Sequence, residues 1–162
     1  MTKQLFEKQE VSCTIQSPIG LLTLCEDDIG ITAVLFADAD TAISPVLSGS
    51  FIPETARQLN EYFAGMRHTF DIPLHLHGTD FQKAVWSALQ AIPYGATRSY
   101  QEIALQVGNP NAARAVGMAN NRNPIPVIIP CHRVVGKNRK LVGYAGGLDR
   151  KQFLLDLEFQ YK

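Results

Sequence analysis

The chain has 162 residues, 46% of them hydrophobic and 19% charged, with a formal net charge of zero. That length holds one ordinary domain or two small ones, and that composition excludes a disordered chain. No apolar run is long enough to span a bilayer, and Met1-Thr2-Lys3-Gln4 leads into no apolar signal segment. Three cysteines without a spacing pattern, Cys13, Cys25 and Cys131, exclude a disulfide scaffold and point to a reducing, cytoplasmic setting.

Val11-Ser12-Cys13-Thr14-Ile15 alternates as a strand does, and Ser17-Pro18-Ile19-Gly20 reads as a turn. Leu21 to Cys25 makes a second strand, Asp27-Asp28-Ile29-Gly30 another turn, and Ile31 to Phe36 a third strand. An antiparallel meander is the simplest assembly, with Cys13 and Cys25 in its core. Residues 37–50 read as a surface loop. Pro53 opens a helix that buries Leu59, Tyr62 and Phe63 and ends at Gly65. Phe70 to Leu74 reads as a further strand. His75-Leu76-His77 sets two imidazoles on one strand face, but His68, His75 and His77 lack a carboxylate or cysteine partner in local spacing. This half reads as structural.

The boundary falls at His77-Gly78-Thr79-Asp80, dividing residues 1–77 from 78–162. The charge balance reverses there: residues 1–80 hold eleven acids and four bases, residues 81–162 four acids and eleven bases. Between Glu102 and Asp149 there is no acid, only Arg114, Arg122, Arg133, Lys137, Arg139 and Lys140. Such asymmetry points to an anionic partner for the second half, nucleic acid above all.

Thr79 and Gln82 form a capping box for a helix with Phe81, Val85, Trp86, Leu89 and Ile92 at helical spacing, Trp86 as a core anchor, and Pro93-Tyr94-Gly95 breaks it. Ser99-Tyr100-Gln101-Glu102 is a second capping box, opening a helix that Gly108 ends. After the turn Asn109-Pro110-Asn111, with Asn111 as cap, a helix runs from Ala112 to about Asn121. The pair is a helix-turn-helix candidate. Ala112, Ala113, Ala115, Gly117 and Ala119 keep the second helix slim, suited to a close backbone approach, while Arg114, Asn120, Asn121 and Arg122 give polar reach.

Next comes Ile125-Pro126-Val127-Ile128-Ile129-Pro130-Cys131-His132-Arg133-Val134-Val135. Pro126 and Pro130 bias the residues before them to extended conformations, so Cys131 should sit on a stiff backbone. The basic flanks favour thiolate over thiol. Extended neighbours point to opposite faces, so contact between His132 and Cys131 needs a turn or a bridging water. Gly136 to Lys140 reads as a polar turn, with Leu141 to Tyr144 returning as a hairpin, or wing. Ala145-Gly146-Gly147 is a flexible loop. Asp149 caps a last helix that buries Phe153, Leu154 and Leu157 and carries Glu158 near its end.

Pro130-Cys131-His132-Arg133-Val134-Val135, with Asn123-Pro124-Ile125-Pro126 before it and Gly143-Tyr144-Ala145-Gly146-Gly147-Leu148 after it, resembles the active-site signature of the O6-alkylguanine-DNA alkyltransferases. The likeness runs on to Lys151 and Glu158, reaches back to Ser99-Tyr100-Gln101-Glu102 and Ala112 to Gly117, and is loose over the N-terminal half. It implies a ribonuclease-H-like α/β N-terminal domain followed by a mostly α winged helix-turn-helix domain. It implies a single-turnover methylated-DNA–protein-cysteine S-methyltransferase, a monomer, working without cofactor on double-stranded DNA containing O6-alkylguanine, with O4-alkylthymine and the range of alkyl groups left open. In this likeness Cys131 is nucleophile and alkyl acceptor, His132 its base through water, and Glu158 the group that orients His132. Tyr100 crowds the 3′ phosphate and donates to the leaving base. Arg114 fills the gap left by the extruded nucleotide, with Ala115, Gly117, Asn121 and Arg122 on the DNA. Asn123, Pro126, Val134, Tyr144, Ala145 and Gly146 shape the base pocket. The family often has serine where Ala145 stands, which leaves only its backbone N–H as donor. A zinc held by Cys13, Cys25 and His75 or His77 fits no common spacing, and no metal is expected. Three other readings remain: a damage-sensing DNA binder, a helix-turn-helix regulator, and a hydrolase built on Cys131, His132 and Glu158.

Overall fold

β-branched and aliphatic residues alternate through the first three strands, and in a computed structural model of the chain they pair as read. The structure describes residues 10–162; the opening stretch from Met1, read above as carrying no leader, lies outside them. Strands β1 (Val11–Ile15), β2 (Leu22–Glu26) and β3 (Ile31–Phe36) form an antiparallel meander in that order. The β1–β2 turn is closed by Ser17, whose hydroxyl donates to Gly20 O at 2.6 Å, and Gly20 takes φ +102°. Helix α1 (Ile52–Phe63) lays Ile52, Ala56, Leu59 and Tyr62 into the core beside Leu22, Leu24 and Val34. Cys13 and Cys25 are buried as expected.

The expected strand at 70–74 does not form. Only Leu74 makes an isolated bridge, to Ile31, because Pro73 has no N–H to extend a ladder and offers only its carbonyl, to Ile31 N at 2.9 Å. His75 and His77 therefore do not lie on a strand. Tertiary packing also supplies the carboxylate that local spacing lacks: Asp27 pairs with His75 Nδ1, and Asp27, His75 and His77 bring one ligand-type atom each within 4.8 Å. Cys13 and Cys25 are no part of that group.

In the second half, α2 (Asp80–Gln90) carries the complete Thr79–Gln82 capping box. Trp86 is buried, as expected of an anchor, and its indole N–H donates to Ala119 O at 2.9 Å. Strand β4 (Arg98–Ser99) leads into α3 (Tyr100–Gln106), where the Ser99 hydroxyl accepts from Glu102 N at 3.1 Å. Helix α4 (Ala113–Asn121) packs on α3 across the turn, and α5 (Leu148–Tyr161) closes the chain. Among the described residues no helix is long and apolar enough to cross a membrane.

Several local expectations give way to tertiary structure. Asn111 does not cap α4; its N-cap is Ala112, without a side-chain bond. Asp149 lies inside the first turn of α5, after Gly147 at the cap position. Phe153 is exposed, and Lys151 and Glu158 take buried positions beside Leu154 and Leu157. The hairpin after Cys131 is absent as a ladder: β5 (Val134–Val135) pairs in parallel with β4, and 136–140 closes through Gly136 N to Lys140 O at 2.8 Å.

Candidate active site

The segment before Cys131 is not an extended run. Ile129 N bonds Ile125 O at 2.9 Å, which folds 125–129 into one turn, and Val127 is forced to φ +72°. A β-branched residue there stores strain of about 1–3 kcal/mol, tolerated because all five of these residues are buried. Asn123 holds the turn at both ends: its Nδ2 donates to Ile129 O at 2.7 Å and its Oδ1 accepts from Ile125 N at 2.9 Å. Cys131 then opens a 3₁₀ turn over Cys131–Arg133, the turn that the Cys-His pair required.

Behind Cys131 lies a buried polar cluster. His132 Nε2 meets Glu158 Oε2 at 2.6 Å. Arg133 donates to Glu158 through Nε at 2.8 Å and Nη2 at 3.1 Å, and to Ile92 O through Nη1 at 2.7 Å. The Tyr62 hydroxyl, reaching over from α1, donates to Glu158 Oε2 at 2.6 Å, and Gly95 N donates to Oε1 at 3.1 Å. Burial opposes the carboxylate, but the hydrogen bond from His132 and the hydrogen bonds and charge of Arg133 outweigh it and hold Glu158 well below the usual carboxylate range. Burial, with Arg133 and Lys151 adding to it, holds His132 below its ordinary value against the pull of Glu158. The imidazole is therefore neutral. With Nε2–H given to Glu158, Nδ1 is the acceptor, and it is buried without a hydrogen-bond partner among the described residues.

The thiol departs from expectation. Burial pushes Cys131 up to about 11, although Asn123 and Lys151 oppose it. The basic flank does not reach the sulfur: Lys137, Arg139 and Lys140 are exposed, and Arg133 is committed to Glu158. Cys131 rests as a thiol and needs a base. The charged side chain that does act on it is Lys151, fully buried on α5, which donates to Val134 O at 2.6 Å, Val142 O at 3.0 Å and Gly143 O at 3.3 Å. Burial brings Lys151 down to about 8. Val142 O also accepts from the Tyr100 hydroxyl at 2.9 Å, so Tyr100 and Lys151 hold the same loop.

In front of Cys131 is a pocket of about 150 Å³, whose walls include Asn120, Asn123, Pro126, Tyr144 and Ala145. Asn120 is buried, its Nδ2 3.4 Å from Cys131 O, and does not extend from the helix surface as expected. Arg114, Ala115, Asn121 and Arg122 are exposed on or just after α4, and Gly117 faces Tyr100, where an added Cβ would lie 3.8 Å from the ring. The structure thus brings together Cys131, His132, Glu158, Asn123, Pro126, Tyr144 and Ala145. It sets Arg114, Ala115 and Arg122 apart on a neighbouring surface, while Asn121, though exposed, also lines the pocket. Sequence reasoning missed Tyr62, Arg133 and Lys151 as parts of the site. A lysine at a position with helical spacing to Leu154 and Glu158 was the available signal for Lys151.

Family models for 6-O-methylguanine DNA methyltransferase match twice: the ribonuclease-like domain over residues 11–76 and the DNA binding domain over residues 80–160. A methylated-DNA–protein-cysteine methyltransferase of Methanosarcina acetivorans is 54% identical over 147 residues, covering 88% of this chain and 94% of that protein. One of Mycolicibacterium paratuberculosis is 53% identical over 150 residues, 90% of each. The solved Mycobacterium tuberculosis OGT in complex with DNA aligns with a TM-score of 0.84 at 49% identity, over 93% of each chain. With both halves matched and the likeness running through nearly the whole length, the chain belongs to the 6-O-methylguanine DNA methyltransferase family.

Proposed function

We propose that this protein repairs DNA directly, by moving the alkyl group of O6-alkylguanine to Cys131 in one irreversible event. The observation that carries this reading is a buried Cys131 thiol at the floor of a pocket, followed by a neutral His132 whose Nδ1 is free and whose Nε2 is fixed by Glu158. A saturated carbon calls for in-line displacement by a soft nucleophile. His132 takes the thiol proton, through water. The sulfur forms its bond to the alkyl carbon as the carbon–O6 bond breaks. The electron pair leaves on O6, and a proton returned to the base gives guanine. Glu158 stabilises the imidazolium in between. The product is a thioether with no carbonyl for water to attack, so each molecule acts once and uses no cofactor.

The alkyl carbon is out of reach inside a duplex, so the nucleotide is rotated out, from the minor-groove side. Arg114, Ala115, Gly117, Asn121 and Arg122 supply the DNA face of a winged helix-turn-helix, and a slim α4 suits a close backbone approach. Tyr100 turns from Val142 O to the phosphate and the leaving base. Ala145 N–H receives O6, Tyr144 packs on the base, and Val134 backs the pocket. The substrate is double-stranded DNA, with O4-alkylthymine as a second target, and the protein works as a monomer in the cytoplasm. The N-terminal half, of ribonuclease-H-like type, braces the site.

The test is intact mass with peptide mapping after mixing the protein with a duplex carrying one O6-methylguanine. One methyl group is expected on the Cys131 peptide, stoichiometric and absent in Cys131→Ala. Binding without a mass change would replace this reading with damage sensing alone.

A further inference from the structure

The pocket in front of Cys131 is not built by the second half alone. Val34, Leu35 and Phe36, at the end of β3, line it together with Pro126, Tyr144 and Cys131. Phe36 is held there from several sides. Its ring meets Tyr144 edge-on, with centroids 6.1 Å apart. The Arg150 guanidinium lies 4.7 Å from its centroid. Arg150 in turn donates to Ile19 O at 2.7 Å and to Gly146 O at 3.1 Å, tying the loop 144–147 to the β1–β2 turn. A Cβ placed on Gly146 would come within 2.7 Å of the Phe36 ring. On the other side, Val34 N donates to Pro124 O at 2.9 Å, fixing β3 against the turn that precedes Cys131. The wall is apolar and cannot move far.

The geometry points to Phe36 as a specificity-determining residue: the N-terminal sheet sets the size of alkyl group that reaches Cys131. This rests on the alkyl-transfer reading above. The amide side chains of the pocket, Asn120, Asn121 and Asn123, lie with the second half. The N-terminal contribution of Val34, Leu35 and Phe36 offers nothing to a guanine edge and suits a hydrocarbon. An apolar cavity of this volume holds a ring the size of benzene. The groups expected to pass are therefore methyl, short alkyl chains and benzyl, with the Phe36 ring as the outer limit.

The experiment compares single-turnover transfer of benzyl and of methyl to Cys131, from duplexes that differ only in the O6 group. It uses the wild-type protein, Phe36→Leu and Phe36→Trp. The readout is the benzyl-to-methyl rate ratio within each protein, which a general loss of stability does not move. A smaller side chain should raise the ratio and a larger one lower it, each by about tenfold, the scale on which a pocket discriminates by bulk. Should Phe36→Trp not fold, the rise in Phe36→Leu decides. Ratios unmoved, or moved in the same direction in both variants, overturn the inference while methyl transfer stands. A wild-type protein that accepts neither group overturns the transfer reading and this inference with it.

Discussion

Behind Cys131, the side chains of Glu158, His132, Arg133 and Tyr62 are buried and bonded to one another. In front, Arg114, Ala115, Asn121 and Arg122 are exposed on or just after α4. Burial makes an unpaired charge costly, so the rear cluster has one arrangement that satisfies it, set before any substrate arrives. The front is solvated, and under the proposed function the bound duplex completes its geometry. One side of the sulfur is fixed by its own bonds, and the other is left free to adjust to a partner.

That contrast breaks most sharply at Glu158. Glu158→Gln leaves the Arg133 guanidinium buried without its counter-charge, a class of change that costs about 3–5 kcal/mol. A large fall in melting temperature and loss of transfer are expected; an unchanged melt would mean that charge does not hold the cluster. The sign in acid follows from a carboxyl held below its ordinary range. Its contribution is full above the unfolded-state value and is lost as pH falls through the folded-state one, so wild type and Glu158→Gln should converge in strong acid.

Cys131 offers the next test. With the thiol raised to about 11, labelling by iodoacetamide should be slow at neutral pH and climb steeply in alkali, its inflection near that value. The fold favours the protonated thiol, so this stabilisation is present below the unfolded-state value and is lost as pH rises through about 11. A labelling plateau already reached near pH 7 would place a resting thiolate in the pocket.

Tyr62→Phe is a smaller change to the same rear cluster. It removes one bond to a charged carboxylate, about 1.5–3 kcal/mol, and should lower the melting temperature while shifting the pH profile of transfer. A change in stability with no change in that profile would confine Tyr62 to packing. The front gives the mildest effect. Arg114→Ala should slow repair in duplex DNA by about tenfold, because unstacking costs a few kcal/mol per step. Transfer from a free O6-benzylguanine base should change little. Equal losses on both substrates would remove Arg114 from the rotation step.

What was legible in the sequence follows from how far apart the partners are. The β1–β2–β3 meander and the Thr79–Gln82 box were readable because each is made within a few residues. Cys131, His132 and Glu158 were named from the signature they resemble; His132 and Glu158 bond to each other, and Cys131 opens the turn that carries His132. Tyr62 was placed in the core for its ring, correctly, but its hydroxyl finds Glu158 ninety-six positions away, which no local pattern encodes. The thiolate was misjudged because charge was counted along the chain, while burial decides the sulfur's environment. The hairpin failed because β5 has a parallel partner in β4, and parallel pairing leaves no turn to read. Phe36 closed a strand pattern, and nothing in that alternation said which pocket lay beyond its end.

Trp86 is the chain's single tryptophan, and its indole N–H rests on the carbonyl of Ala119 in α4. The next residue along, Asn120, touches the backbone of Cys131. The molecule therefore carries its own fluorophore, bonded to the helix proposed to meet the duplex. A displacement of α4 changes the indole's hydrogen bond and with it the colour and yield of emission. Docking on a duplex and the arrival of an alkyl group on sulfur become two optical events, timed in a stopped-flow cell without attaching a dye.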